Sequence, residues 1–157
     1  MSRQQEEPLE PSVAGGVVVG FDGSRCALCA VQEGADEALR RGTTLHVVRA
    51  WMLSNAAGET DAPAGTVPSL AEVEQAVRAS VDRAIEIARE GRPGLQVVGH
   101  VRHGKAAQTL VEAARGAALV VVSRRGSGGF VDLLLGSTAD QVVRYARSAV
   151  LVVRPTD

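Results

Sequence analysis

Gly16-Val17-Val18-Val19-Gly20-Phe21-Asp22-Gly23-Ser24 runs a short apolar stretch straight into a polar turn, and that order decides the fold. An unbroken run of β-branched residues, with no polar alternation, suits a strand covered on both faces. Asp22-Gly23-Ser24 then reads as a turn and a helix start. From Cys26 to Arg41 the apolar residues Leu28, Val31, Ala35, Ala38 and Leu39 recur at helical spacing, and Gly42 follows as a stop. A buried strand feeding a helix is the opening of a βαβ unit.

The same alternation continues along the chain. Thr43 to Trp51 reads as the second strand, and Leu95 to Val101 as the third. Between them, Leu70, Val73, Val77, Val81, Ala84 and Ala88 mark a long amphipathic helix that ends at Gly91 and Pro93. Met52 to Pro68, rich in Ala, Gly, Pro, Thr and Asn, is expected to be a long mobile connection. Ala106 to Ala114 is the next helix and Ala118 to Ser123 the fourth and most apolar strand. A last helix is expected from Ser137 to about Arg147, and a last strand from Ala149 to Arg154. Strict alternation implies a doubly wound α/β domain. We expect a five-stranded parallel sheet of flavodoxin-like order 3-2-1-4-5 with helices on both faces. Residues 1–14 are expected as a flexible tail and residues 15–157 as a single domain.

Composition narrows the functions. The 157 residues suffice for one core, and with 3% aromatics that core must be built from Val, Leu, Ile and Ala. A formal net charge of -1 argues against nucleic-acid or membrane-surface partners, which require a positive field. No apolar run approaches the roughly 20 residues that span a bilayer. Met1 to Pro11 lacks the apolar stretch of a signal peptide, so a cytoplasmic address is expected.

In such sheets ligands bind beyond the carboxyl ends of the strands. That directs attention to Asp22-Gly23-Ser24, to the end of the second strand, and to Ser123 to Ser137. After Ser123 come Gly126, Gly128 and Gly129, whose N–H groups can form an anion nest. Gly136-Ser137 then opens a helix, and helix N-termini seat phosphate. Ser137 is a suitable N-cap, with Asp140 three residues on. A plain glycine turn followed by an ordinary capped helix accounts for the same residues.

This stretch resembles the nucleotide motif of the universal stress protein family: Gly, two residues, Gly, nine residues, Gly, then Ser or Thr. Here Gly126 is the second glycine, 127–135 are the nine residues, and Gly136 and Ser137 close the motif. The likeness extends to VVVGFDGS, LHVVRAW, VRHGKAAQTLVEAA and SAVLVVRP, covering residues 16–155. The resemblance implies an ATP-binding regulatory or stress-response module with slow or no hydrolysis, and magnesium or manganese entering only with the phosphates. It implies Asp22 beside the nucleotide, the Val47 backbone framing the adenine, Val122 against the adenine, and Gly126, Gly136 and Ser137 on the phosphates. Asp22 equally suits a helix N-cap. One departure stands out: the first motif glycine is Ser123, beside the ribose, where a hydroxyl either crowds the ligand or bonds it. The alternatives are a weak ATPase using Asp22 and a metal, and an interaction module that has lost its nucleotide. The resemblance also implies a homodimer paired through the apolar C-terminal strand.

Three other patterns are weaker. Gly99-His100-Val101-Arg102-His103-Gly104-Lys105 fits most of a P-loop, but Ala106 stands where a Ser or Thr is needed, and the strand-like His100-Val101 falls inside it. Cys26 and Cys29 have C-x-x-C spacing without further ligands for zinc, and small half-buried cysteines explain them. His46, His100 and His103 show no ligand spacing.

Overall fold

A computed structural model describes residues 7–126 and 134–155. The elements follow in the order β1 (Val17–Gly20), α1 (Arg25–Arg41), β2 (Leu45–Trp51), α2 (Leu53–Ala56), a 3-10 turn (Ala57–Glu59), α3 (Leu70–Arg89), β3 (Val97–His103), α4 (Ala106–Ala114), β4 (Leu119–Ser123), α5 (Ser137–Tyr145) and β5 (Ala149–Val153). All five strands are parallel and lie in the order β3-β2-β1-β4-β5. This is the flavodoxin-like order expected from the sequence.

Strand alternation divides the core in two. Val17, Val19, Leu45, Val47 and Val121 face α1 and α3, whereas Val18, Val48, Val120 and Val122 face α4 and α5. The central strands β1 and β4 are apolar on both faces because each face meets a helical layer. The helices begin where polar side chains satisfy their first N–H groups. Ser24 accepts from Ala27 N at the start of α1, and Ser69 and Glu72 form a reciprocal capping box on α3. Gly42 takes φ 61 as the C-cap of α1, a left-handed angle that favours glycine.

Three differences from the sequence reading have physical causes. β3 sits two residues later than expected, because Gly94 and Leu95 belong to a turn and pairing with β2 runs on to Trp51↔His103. As an edge strand, β3 accommodates the polar Arg102 and His103. The connection from Met52 is folded in its first half: α2 and the 3-10 turn occupy residues 53–59, and Ala56 is buried with Trp51, Val73 and Val77. Residues 7–14, expected as tail, form no helix or strand but lie against the sheet. Leu9 and Val13 pack on the α4/α5 side of the core, the Glu7 carbonyl accepts from Arg102, and Gly15 N donates to Gly116 O. On that face α4 packs over β1, β2 and β4, and this segment reaches the edge strand β3 at Arg102 and His100.

Candidate functional site

β1 and β4 are neighbours, yet their chains leave the sheet in different directions, β1 into α1 and β4 into α5. This divergence opens a cleft at their carboxyl ends, the switch point of the fold. The cleft measures about 220 Å³ and is lined by Asp22, Val122, Ser123, Gly126, Gly136 and Ser137 among others. Six of the seven site residues expected from the sequence therefore share one cavity.

The seventh, Val47, does not line it. Val47 is mid-strand, paired between Val19 and Gly99, and fully buried on the α1/α3 side. The period of two along β2 gives the cleft Val48 and Ala50 instead, with Ala106 and Leu110 of α4 beside them.

Two details of the phosphate side also differ from the sequence reading. Gly136, not Ser137, is the N-cap of α5; Ser137 is its first helical residue, and Asp140 pairs with Arg144. Gly136 N donates to the Arg124 carbonyl at 2.7 Å, so this glycine closes the turn after β4 rather than offering its own N–H. The first backbone donor bonded within α5 is Asp140 N, to Gly136 O. The N–H groups of Ser137, Thr138 and Ala139 are those a helix start leaves without an intrahelical acceptor. Gly128 and Gly129, the other nest glycines, lie outside the described residues, as does most of the nine-residue stretch.

The glycines are spatial requirements. A Cβ on Gly126 would lie 2.8 Å from Asp22 Oδ2. One on Gly136 would meet backbone on three sides: Arg125 Cα at 3.3 Å, and Arg124 O and Gly126 N at 3.4 Å. Ser123 does not aim its hydroxyl into open space; Oγ donates to the Arg125 carbonyl at 2.8 Å and braces the turn. Asp22 Oδ1 accepts from Ser24 N at 2.9 Å, so Asp22 organises the turn into α1 while lining the cleft.

Sequence reasoning missed Arg49. It lies inside β2, two residues before its end, at 2% exposure beneath the Asp22 turn, with its guanidinium over the Phe21 ring at 5.8 Å. Nη1 donates to Glu59 Oε2 at 2.8 Å and to Ser80 Oγ, and Nη2 completes the pair with Glu59 Oε1. Glu59 and Ser80 line a second, open cavity of about 950 Å³ between α3, the 55–63 segment and the start of α1. Asp22 and Asn55 line both cavities. The available signal was an arginine inside a mostly apolar strand, since such a charge must find a partner.

The weaker motifs resolve without chemistry at this cleft. Gly99 lies within β3 against Val81 and Ile85, so the P-loop-like run is a strand and its exit. Cys26 and Cys29 are free thiols, half-buried on α1. His46 and His100 form a buried pair, Nδ1 to Nε2 at 2.8 Å, and His100 also bonds the Glu10 backbone. Burial holds both imidazoles below the usual histidine value of 6.5, His100 at about 4.

These features define a doubly wound α/β domain with a glycine-lined cleft at its switch point. The profile of the universal stress protein family matches residues 16–154, and the chain belongs to that family. A universal stress protein of Mycolicibacterium smegmatis is 36% identical over 139 residues, covering 88% of this chain and 45% of that protein. One from Mycobacterium tuberculosis is 32% identical over 151 residues, covering 88% and 47%. The chain thus spans about half the length of the curated relatives it matches. Among solved structures, a universal stress protein in complex with cAMP superposes with a TM-score of 0.67 at 26% identity, covering 91% of this chain and 98% of that one. The Archaeoglobus fulgidus protein in complex with dAMP shares the fold, with a TM-score of 0.64 at 20% identity over 89% of this chain and 98% of that one. Among the described residues, no helix is long and apolar enough to cross a membrane.

Proposed function

We propose that the chain is a nucleotide-binding regulatory module whose ligand is an adenine nucleotide, ATP in the first instance, with little or no hydrolysis. The carrying observation is the approach of Gly126 and Gly136 to Asp22 and to the turn after β4, at the start of α5. Such a cradle admits backbone donors to a phosphate and excludes side chains. Val48, Ala50, Val122 and Leu110 supply the apolar walls that a base requires. Asp22 is suited to a ribose hydroxyl or a base N–H. The cAMP complex of a relative at 26% identity supports an adenine nucleotide as the ligand class. Ser123 lines the cleft while its hydroxyl braces its own turn. Any magnesium or manganese would arrive on the phosphates.

We further infer a homodimer. Among the described residues β5 pairs only with β4, which leaves its outer edge for an antiparallel partner strand. A cytoplasmic address and a role in stress regulation complete the reading.

The test is calorimetric titration of purified protein with ATP, AMP and cAMP, beside mass spectrometry of ligand extracted from it. Micromolar binding of at least one adenine nucleotide, with turnover far below one per second, is expected. Absence of binding to all three would favour the interaction-module alternative. Rapid multiple turnover would favour an ATPase.

A further inference from the structure

Glu59 reaches Arg49 from a connection that has few other polar anchors, and Arg49 reaches the cleft from beneath. Arg49 is almost wholly buried, and its Nε has no acceptor among the described residues. Compensation for burying this charge therefore comes from Glu59 and Ser80. The guanidinium and the Glu59 carboxylate also support the Asp22 turn. Gly23 takes φ 86 directly above them, and a Cβ there would lie 3.2 Å from Arg49 Nη1 and 3.3 Å from Glu59 Oε1. The ion pair thus touches the turn that carries Asp22 and fixes the segment that carries Asn55, both of which line the cleft. It also stands between the cleft and the larger cavity, whose wall includes Glu59 and Ser80.

We propose that Arg49 is a positioning residue for the nucleotide cleft, acting through Glu59 so that docking of residues 53–59 and occupancy of the cleft reinforce each other. The inference rests on the adenine-nucleotide reading of the cleft. The physical basis is reciprocity: if the docked segment holds Asn55 and the Asp22 turn in the binding arrangement, bound nucleotide must stabilise docking by the same factor. The ligand here is the nucleotide itself; Arg49 lines the cleft from beneath, and the hydrogen bonds of its guanidinium go to Glu59 and Ser80. Glu59 is about one-third exposed, so the clamp lies near enough to solvent to open without unfolding the core.

Two variants separate this role from a merely structural one. Glu59→Gln removes the charge but keeps the shape, leaving Arg49 buried without its counter-ion. Arg49→Met removes the buried charge itself and leaves Glu59 free to turn to water. Each is compared with wild type by circular dichroism, by calorimetric titration with ATP, and by hydrogen exchange of residues 53–59 with and without ATP. Both variants should stay folded and bind roughly tenfold more weakly. In wild type, ATP should slow exchange at 53–59, and that slowing should disappear in both variants. Wild-type affinity in the folded variants, or exchange at 53–59 that ignores ATP in wild type, overturns the proposal alone. If wild type itself binds no adenine nucleotide, the functional reading fails and the proposal falls with it.

Discussion

Asp22 and Gly126 stand so close across the cleft that a methyl group on the glycine would lie 2.8 Å from the aspartate's Oδ2. The contact follows from topology, because β1 and β4 are adjacent and the residues just beyond each come face to face. Room between them can be made only by moving the Asp22 carboxylate. Asp22 is held through Oδ1 by Ser24 N, and Gly126 lies against the Gly136 turn.

Gly126→Ala should accordingly displace the Asp22 carboxylate without unfolding the domain. Backbone and core are untouched, so the melting temperature should move by only a few degrees. Affinity for ATP should fall on the order of tenfold to a hundredfold, about 1.4 to 2.7 kcal/mol. Calorimetric titration beside a thermal melt reads both; wild-type affinity in this variant would remove Asp22 and Gly126 from the ligand site.

Gly136→Val should be more damaging to binding. Its backbone, at φ -65, is open to any residue, so conformational strain is not the reason. The reason is space: a Cβ there faces backbone at 3.3 to 3.4 Å, and the branches of valine would project into the turn and the mouth of α5. Loss of the phosphate seat is expected to weaken ATP on the order of a thousandfold. A folded valine variant with undiminished affinity would place the nucleotide elsewhere.

The order of strands was legible because each apolar run and each helical period stands alone between turn residues. The site was legible in its glycines and in Asp22, which sit where chain reversals must occur. Three things were not. Val47 and Val48 differ only in which face they present, and one residue of register decides which enters the cleft. Residues 53–59 are anchored by contacts with residues outside the segment, Glu59 to Arg49 in β2 and Ala56 against Trp51, Val73 and Val77, so the composition of the segment alone suggested a loop. Ser137 and Gly136 both suit an N-cap, and the bond from Gly136 N to Arg124 O settles their roles through contact with the preceding strand.

The buried His46–His100 pair gives the fold an acid limit. Burial lowers both values in the folded state, while the unfolded chain binds protons near the ordinary 6.5. The unfolded state thus holds more protons as pH falls, and folding must exclude them. This contribution is fully present above pH 6.5 and is lost progressively as pH falls towards the His100 value of about 4. Arg102 adds to the effect on His100. Melting temperature should decline between pH 7 and pH 5, before Asp36 and Glu72, both held below the usual carboxylate range, begin to titrate. A His46→Gln, His100→Gln double variant should show a flatter profile over that window; an equal slope would show that other groups set it.

Dimerisation should be sensitive to charge on the open edge of β5. Val150 and Val152 pack inward against the α4/α5 layer, so their replacement would disturb the core itself. Ala149 is exposed on the same strand and tolerates change. Ala149→Lys should shift the protein from dimer towards monomer, since an edge lysine opposes strand pairing. Sedimentation velocity at micromolar concentration is the measurement, and a monomeric wild type would refute the dimer.

Ser123→Gly restores the glycine that the family motif carries and tests whether serine here is a loss or a substitution of means. Its hydroxyl donates to the Arg125 carbonyl across the turn that leads from β4 to Gly126. A glycine would remove that bond and loosen the turn, at about 1 kcal/mol for a half-buried hydrogen bond. It would also clear a side chain from the lining of the cleft. These effects oppose each other in binding, one relaxing the cradle and the other widening it. The affinity for ATP is therefore expected to stay within about fivefold of wild type, while stability falls by roughly 1 kcal/mol. Titration and denaturant unfolding on the same samples separate the two quantities. A large gain in affinity would mean that Ser123 crowds the nucleotide in the native protein. If the glycine variant and wild type both fail to bind, the cleft is a relic of the fold and the interaction-module reading takes its place.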